Sequence, residues 1–338
     1  MTGWEGPPRL LVAATVVGAL LPLWLDHEPA AAPTGTPTST GTATLASGTA
    51  RGLDELPHAP ADTDSGARTT GDAAERRATT RTAADDDRDG ARKLGVATYA
   101  LDPDLALADV RAGAAALTDR DGVSVVGWQG TATYGNVFGM LDKAGWDTLR
   151  PDGDRDLRDL AVSWRRDRFE LAGWKAHPVA EGATRQVLRV SLRERSSGDV
   201  LSVLVAQVPD GAASTEQPGR WAASDEAVVG RETLRRYADM WDKAPGRWGV
   251  GTLDLGLDAF AEADAAPVGG PTRHLADVAA STYDVRGRKG VDAATDHTEV
   301  VYVRRTDLDR ERLSVRGQTS MDDLAGTTHP VIGWLQVR

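Results

Sequence analysis

Six histidines are the chain's ordinary candidates for acid–base chemistry. His177, His274 and His297 stand singly among polar residues, and His27 and His58 lie in the N-terminal quarter. No H-x-x-x-H or H-E-x-x-H spacing exists to assemble a zinc site. His329 stands apart, in the tripeptide Thr328-His329-Pro330 directly before an apolar run that closes the chain. There are no cysteines, which excludes disulfides, thiolate metal sites and cysteine nucleophiles. Asp102-x-Asp104 and Asp152-x-Asp154-x-Asp156 have a spacing that oxygen-liganded cations use. The second set lacks the Gly and Glu that a helix–loop–helix calcium site needs at fixed offsets, so it reads as an acidic loop. Arg165, Arg166 and Arg168 cluster within SWRRDRFEL, where an exposed turn explains them better than an anion contact. No G-x-S-x-G, phosphate-loop or dinucleotide fingerprint is present.

These residues are carried by two kinds of sequence. Leu10 to Leu25 is an uncharged run between Arg9 and Asp26. It is longer than most secretory apolar regions and shorter than most membrane spans. We expect a signal peptide or membrane anchor over residues 1–26, with the remainder of the chain outside the cytoplasm and a membrane tether through 10–25. Residues 27–92 are rich in Thr, Ala, Pro, Ser and Asp. Such a stretch buries too little apolar surface to offset the entropy of ordering, which predicts a disordered linker. The abundance of Gly, Ala, Arg and Asp over Lys is what a GC-rich, actinobacterial-looking genome produces. The whole chain is acidic, with a formal charge of −11. Proteins that track phosphate backbones usually present a basic face, so nucleic-acid binding is not expected; no other partner is indicated.

From Lys93 the pattern becomes one of short apolar strands and amphipathic helices. Strands are predicted at LGVATYAL, VSVVGWQG, LAVSWR, FELAGW, RQVLRVSLRE, VLSVLVAQV, RWGVGTLDLG, TEVVYVRR and HPVIGWLQVR. Helices are predicted over Leu105–Leu117 and Ser224–Ala244, the second capped by Ser224 or Asp225. LAVSWR and FELAGW are expected to form a hairpin, as are RQVLRVSLRE and VLSVLVAQV. The fold class is therefore α+β: a four-layer sandwich of two mostly antiparallel β-sheets flanked by helices, spanning 93–338 and preceded by the apolar helix and linker. Trp128, Trp164, Trp248 and Trp334 fall on predicted strands and belong to the core. Trp146, Trp221 and Trp241 are the candidates for surface exposure, where Trp suits sugar or partner binding.

The ordered set TYA (98–100), VVGWQG (125–130), SWRRDRFEL (163–171), VLVAQVP (203–209), GTLD (251–254), TEVVYVRR (298–305) and TTHPVIGWLQV (327–337) resembles the endonuclease/exonuclease/phosphatase (deoxyribonuclease I-like) superfamily. The resemblance implies a site in which carboxylates hold Mg²⁺ or Mn²⁺ against a phosphoester, a His–Asp pair activates water, and Asn and His groups steady the phosphate. Transferred position by position, most of that site is replaced. The Asn of the first strand is Ala100. The metal-binding Glu is Gly130. A phosphate-steadying His is Gln207. The Asp and Asn of the G-D-F-N element are Thr252 and Asp254, and a further Asp is Glu299. The terminal Asp-His pair is Thr328-His329. Thr295-Asp296-His297 would keep both residues of that pair, but the family domain ends one strand after it, which favours Thr328-His329.

The resemblance thus implies a domain with the superfamily's fold and a degenerate site: a pseudoenzyme acting as a binding or scaffold module, with no cofactor expected. The alternative is a divergent metal-dependent phosphodiesterase or nuclease acting on a phosphoester outside the cytoplasm, with His329 and Asp254 as its catalytic residues and Mg²⁺ or Mn²⁺ as its metal.

Overall fold

The computed structural model describes residues 91–153, 155–181, 183–217, 219–258, 271–287, 298–321, 324 and 329–338. The apolar run Leu10–Leu25, the linker up to residue 90, Asp154, the pair Asp296-His297, and Thr328 lie outside these described residues.

Twelve described strands form two six-stranded sheets. Sheet 1 contains β1 (Arg92–Ala100), β2 (Val123–Gln129), β3 (Trp146–Leu149), β4 (Ala161–Arg165), β11 (Leu313–Ser320) and β12 (Val331–Val337), in the order β11-β12-β1-β2-β4-β3. Sheet 2 contains β5 (Phe169–Pro178), β6 (Gln186–Glu194), β7 (Val200–Gln207), β8 (Trp248–Asp254), β9 (Ala279–Ser281) and β10 (Glu299–Arg304), in the order β5-β6-β7-β8-β10-β9. Only β1–β2 and β7–β8 are parallel among these pairings. That is the mostly antiparallel architecture expected from the strand pattern.

The strands are apolar runs because both faces of the central ones are covered. β2 and β8 are buried at every position. The sheets pack face to face, with β1 and β2 against β7, β8 and β10. Gly127 permits that approach: a Cβ there would overlap the Thr252 hydroxyl across the interface. Helices α1 (Leu107–Thr118) and α2 (Gly135–Lys143) cover the outer face of sheet 1. Helix α4 (Asp225–Trp241), preceded in the chain by the single turn α3 (Arg155–Arg158), covers sheet 2 through Leu234, Tyr237 and Trp241. Ser224 caps α4 by accepting a hydrogen bond from the Ala227 N–H at 3.2 Å, which satisfies one of the amides a helix start leaves open. Two short helical segments, α5 (Thr282–Arg286) and α6 (Arg305–Asp309), flank β10.

Two expectations are corrected. The stretch LAVSWRRDRFELAGW is not a hairpin: β4 pairs with β2 and β3 in sheet 1, whereas β5 pairs with β6 in sheet 2. The intervening Arg-rich turn carries the chain from one sheet to the other. The RQVLRVSLRE–VLSVLVAQV hairpin does form, as β6 and β7. Trp146 and Trp241 are buried rather than exposed, and Trp221 is partly buried. Among the described residues, the exposed tryptophan is Trp174 on the edge strand β5, where no further described strand lies against it.

Candidate functional site

The positions carried over from the resemblance sit at strand ends, and the topology gathers them at one edge of the sandwich. Ala100 and Gln129 end β1 and β2 side by side. Gln207 and Asp254 end β7 and β8 as register partners, and Asp254 is in turn partnered with Glu299 at the start of β10. His329 lies two residues before β12, whose Val331 pairs with Thr98. Continuing that antiparallel register by two residues brings His329 level with Ala100. Gly130 follows Gln129 directly. Ala100, Gly130, Gln207, Thr252, Asp254, Glu299 and His329 therefore share one edge.

Hydrogen bonds tie this edge shut across the two sheets. Glu299, fully buried, accepts from the Ala100 N–H at 3.0 Å. The backbone amide is thus held by a carboxylate at the position where the resemblance expects an Asn side chain. Thr98 donates its hydroxyl to the Gln129 side-chain oxygen at 3.3 Å, and the Gln129 amide donates to Thr252 at 3.4 Å. All three residues are fully buried, so each polar group needs a partner inside the protein. Thr98 and Gln129 lie within the TYA and VVGWQG segments, but the resemblance assigns neither a role. The only sign in the sequence is that each interrupts an otherwise apolar strand end.

Asp254 is buried and accepts from Gln207 Nε2 at 3.3 Å and from the Gly256 N–H at 3.0 Å. Burial pushes its carboxyl up to about 6, with the nearby Asp210 adding to the rise and the Gly256, Gln207 and Thr298 donors opposing it. The folded pKa thus lies above the ordinary value of 3.8. Between these values the folded chain binds more protons at this carboxyl than the unfolded chain does. The stability it contributes is fully present below about pH 4 and is lost as pH rises through about 6. A shift of this size corresponds to at most roughly 3 kcal/mol. Asp254→Asn removes the charge at constant shape, and the Gln207 amide can turn to accept from the new Nδ2. We expect the variant to be more stable than the parent by about 1–3 kcal/mol at pH 8, with the gain fading towards pH 4. Urea midpoints at pH 4, 6 and 8 test this; a pH-independent difference would refute it.

These residues do not fit a divalent metal. Gly130 offers no ligand, and its φ of +69° lies in the left-handed region. A Cβ built there would overlap the Leu101 carbonyl oxygen. Leu101 itself is fixed by donating its N–H to the Gln129 carbonyl at 3.0 Å. Among the described residues, no group of three or more carboxylate or imidazole side chains is gathered to hold a metal. Asp254 and Glu299, register partners at the edge, are both engaged with donors of the protein. The acidic loop at 152–156 brings no calcium geometry into view, since Asp154 and the Asp156 side chain lie outside the described residues.

The SWRRDRFEL arginines lie at the opposite edge and are committed to the protein. Arg166 bonds Asp142 and Asp147, and Arg165 bonds Asp167. Arg168 bonds Glu194, the Lys93 carbonyl and Ser124.

No protein-family profile matches the chain, and no curated protein matches it. Solved structures do. An endonuclease/exonuclease/phosphatase family protein from Bacteroides thetaiotaomicron superposes with a TM-score of 0.51 at 11% identity, covering 73% of this chain and 99% of that one. TDP2 from D. rerio, solved with a single-strand DNA product, gives 0.50 at 12% identity over 72% of this chain and 98% of its own. A functionally unknown conserved protein from Enterococcus faecalis gives 0.50 at 12% identity, with 72% and 100% coverage. At these identities the likeness carries the fold: the described domain has the two-sheet α+β sandwich of endonuclease/exonuclease/phosphatase structures.

Proposed function

We propose that the domain is a non-catalytic binding or scaffold module, displayed outside the cytoplasm of a bacterium. One observation carries the loss of catalysis. Gly130 stands where the resemblance expects the metal-binding Glu, and the Leu101 carbonyl fills the space that any side chain there would need. The missing ligand is therefore built out of the backbone geometry. Ala100, Gln207 and Thr252 compound the loss, because none supplies a charge or a proton-transfer group. The Leu10–Leu25 run and the polar stretch after it support export and display.

A second reading, a divergent metal-dependent phosphodiesterase, is favoured by one feature: Asp254 and Glu299 face each other across β8 and β10 at this edge. One experiment with two arms separates the readings. The full chain is assayed for hydrolysis of a phosphodiester dye and of DNA with Mg²⁺ or Mn²⁺, where we expect no rate above buffer. Protease added to intact cells is expected to cleave the displayed domain. Hydrolysis that disappears in His329→Ala overturns the non-catalytic assignment, and complete protease resistance overturns the display.

A further inference from the structure

A second cluster lies on the outer face of sheet 2, beside α4. Lys175 on β5 is the direct cross-strand partner of Arg189 on β6, a like-charge pairing that sheets disfavour. His177 lies on the same strand face as Lys175. Arg236 on α4 and Lys243 just beyond it complete the group, and all four cations act electrostatically on the His177 ring. Arg189 donates to the Lys243 carbonyl at 3.1 Å, which fastens the post-helix loop to the strand.

Neighbouring arginines show that this arrangement is unusual for the chain. Arg193 and Arg195 on or beside β6 pair with Glu170, and Arg235, next to Arg236, pairs with Glu232. Among the described residues, no carboxylate lies within ion-pair distance of Lys175, Arg189, Arg236 or Lys243. The Nε atoms of Arg189 and Arg236 and the Nε2 atom of His177 are buried with no hydrogen-bond partner. Buried donors of this kind call for an acceptor. Lys175 and Lys243 are exposed, so the cluster is open to solvent.

We propose that this cluster is an oxyanion-binding site for a phosphate-type group, carried by a free phosphomonoester or by an anionic lipid headgroup. Guanidinium edges recognise such oxygens by paired N–H donors, and the lysines add point charge. The site is separate from the Ala100–Glu299 edge and does not depend on whether that edge is catalytic. Burial and the four cations hold the His177 imidazole down at about 4, so it is neutral near pH 7 in the empty site. A bound dianion offsets those cations and raises that value.

The test uses the full chain. Inorganic phosphate is titrated by calorimetry against chloride at matched ionic strength, and vesicles of phosphatidylglycerol are compared with phosphatidylcholine. Arg189→Gln is expected to weaken binding about tenfold or more, and Lys175→Gln, at an exposed position, by a few-fold. Arg235→Gln, already paired with Glu232, is expected to leave it unchanged. Phosphate is also expected to raise the His177 titration midpoint, followed by NMR, by about one unit. Binding of phosphate alone assigns a free ligand, and retention on anionic vesicles assigns a headgroup; either supports the site. The site is overturned if neither phosphate nor anionic vesicles bind above their controls, or if Arg235→Gln weakens binding as much as Lys175→Gln and Arg189→Gln. Lys175→Gln decides the matter if Arg189→Gln does not fold.

Discussion

Gly130→Glu is expected to destabilise the domain severely and to gain no metal affinity. Restoring the residue that the family resemblance implies looks like the direct route to a working site, but the backbone forbids it. The φ of +69° costs a residue with a Cβ about 1–2 kcal/mol. The added Cβ also meets the Leu101 carbonyl, which cannot retreat without breaking the Leu101–Gln129 bond that extends the β1–β2 ladder. Losing a buried backbone hydrogen bond adds about 1–3 kcal/mol. The total, roughly 2–5 kcal/mol, is a large part of the 5–15 kcal/mol that typically holds a domain together. Gly130→Ala is expected to lose nearly as much, because the damage begins at Cβ. Urea unfolding of both variants, with and without Mg²⁺, is the measurement. A Gly130→Glu protein with the parent's midpoint and an Mg²⁺-dependent rise in Tm would show that the edge is open rather than built shut.

Much of the fold was legible because its central strands are short and apolar on both faces. VSVVGWQ and WGVGTLD are buried at every position, and such runs announce themselves without alternation. What the pattern could not reveal was sheet membership. AVSWR and FELAGW are separated by three residues, which suggests a hairpin, yet β4 and β5 belong to different sheets. The choice is made by side chains far away in sequence: Arg168 reaches back to Lys93 and Ser124 in sheet 1 while bonding Glu194 in sheet 2. Helix α2 escaped notice for a local reason. Its Gly135 and Gly139 lower helix propensity, and it is held by Val137 and Leu141, one turn apart, packing into the core of sheet 1. β11 escaped because LSVRGQTS is a polar edge strand with little apolar content.

The candidate site divides the same way. Ala100, Gly130, Gln207, Asp254 and Glu299 could be placed at strand ends from their order alone, and the parallel β1–β2 and β7–β8 pairings bring those ends to one edge. The bonds that close the edge were not legible. Glu299 reaching the Ala100 amide spans 199 residues, and Gln129 reaching Thr252 spans 123. Neither has a local spacing to announce it. The fate of Gly130 was half legible: a missing ligand is visible in the sequence, but the carbonyl occupying its place is not.

At the far edge of the sandwich, Glu194→Ala is expected to cost about 3–5 kcal/mol, the range found when one partner of a buried ion pair is removed. Glu194 is 1% exposed and ends β6 in sheet 2. It is bonded by Arg92, at the start of β1 in sheet 1, and by the Ser197 hydroxyl at 2.8 Å. Arg168, in the turn between the sheets, approaches it through Nε and Nη2 at 3.2 Å each. One carboxylate thus joins both sheets and the segment that connects them. Burial already holds the Arg168 pKa below its ordinary value, with the Glu194 charge opposing that fall. Without Glu194 the guanidinium keeps its bonds to Lys93 and Ser124 but loses the one carboxylate that lies within ion-pair distance of it among the described residues. The loss then comes chiefly from a stranded cation, and this has a distinguishable consequence. Removing the cation as well, in Glu194→Ala with Arg168→Met, is expected to recover at least about 1 kcal/mol relative to Glu194→Ala alone. Urea unfolding of the two single variants and the pair gives the coupling directly. Additive losses would mean that the two residues stabilise the domain independently, and that Glu194 acts through Arg92 and Ser197 instead.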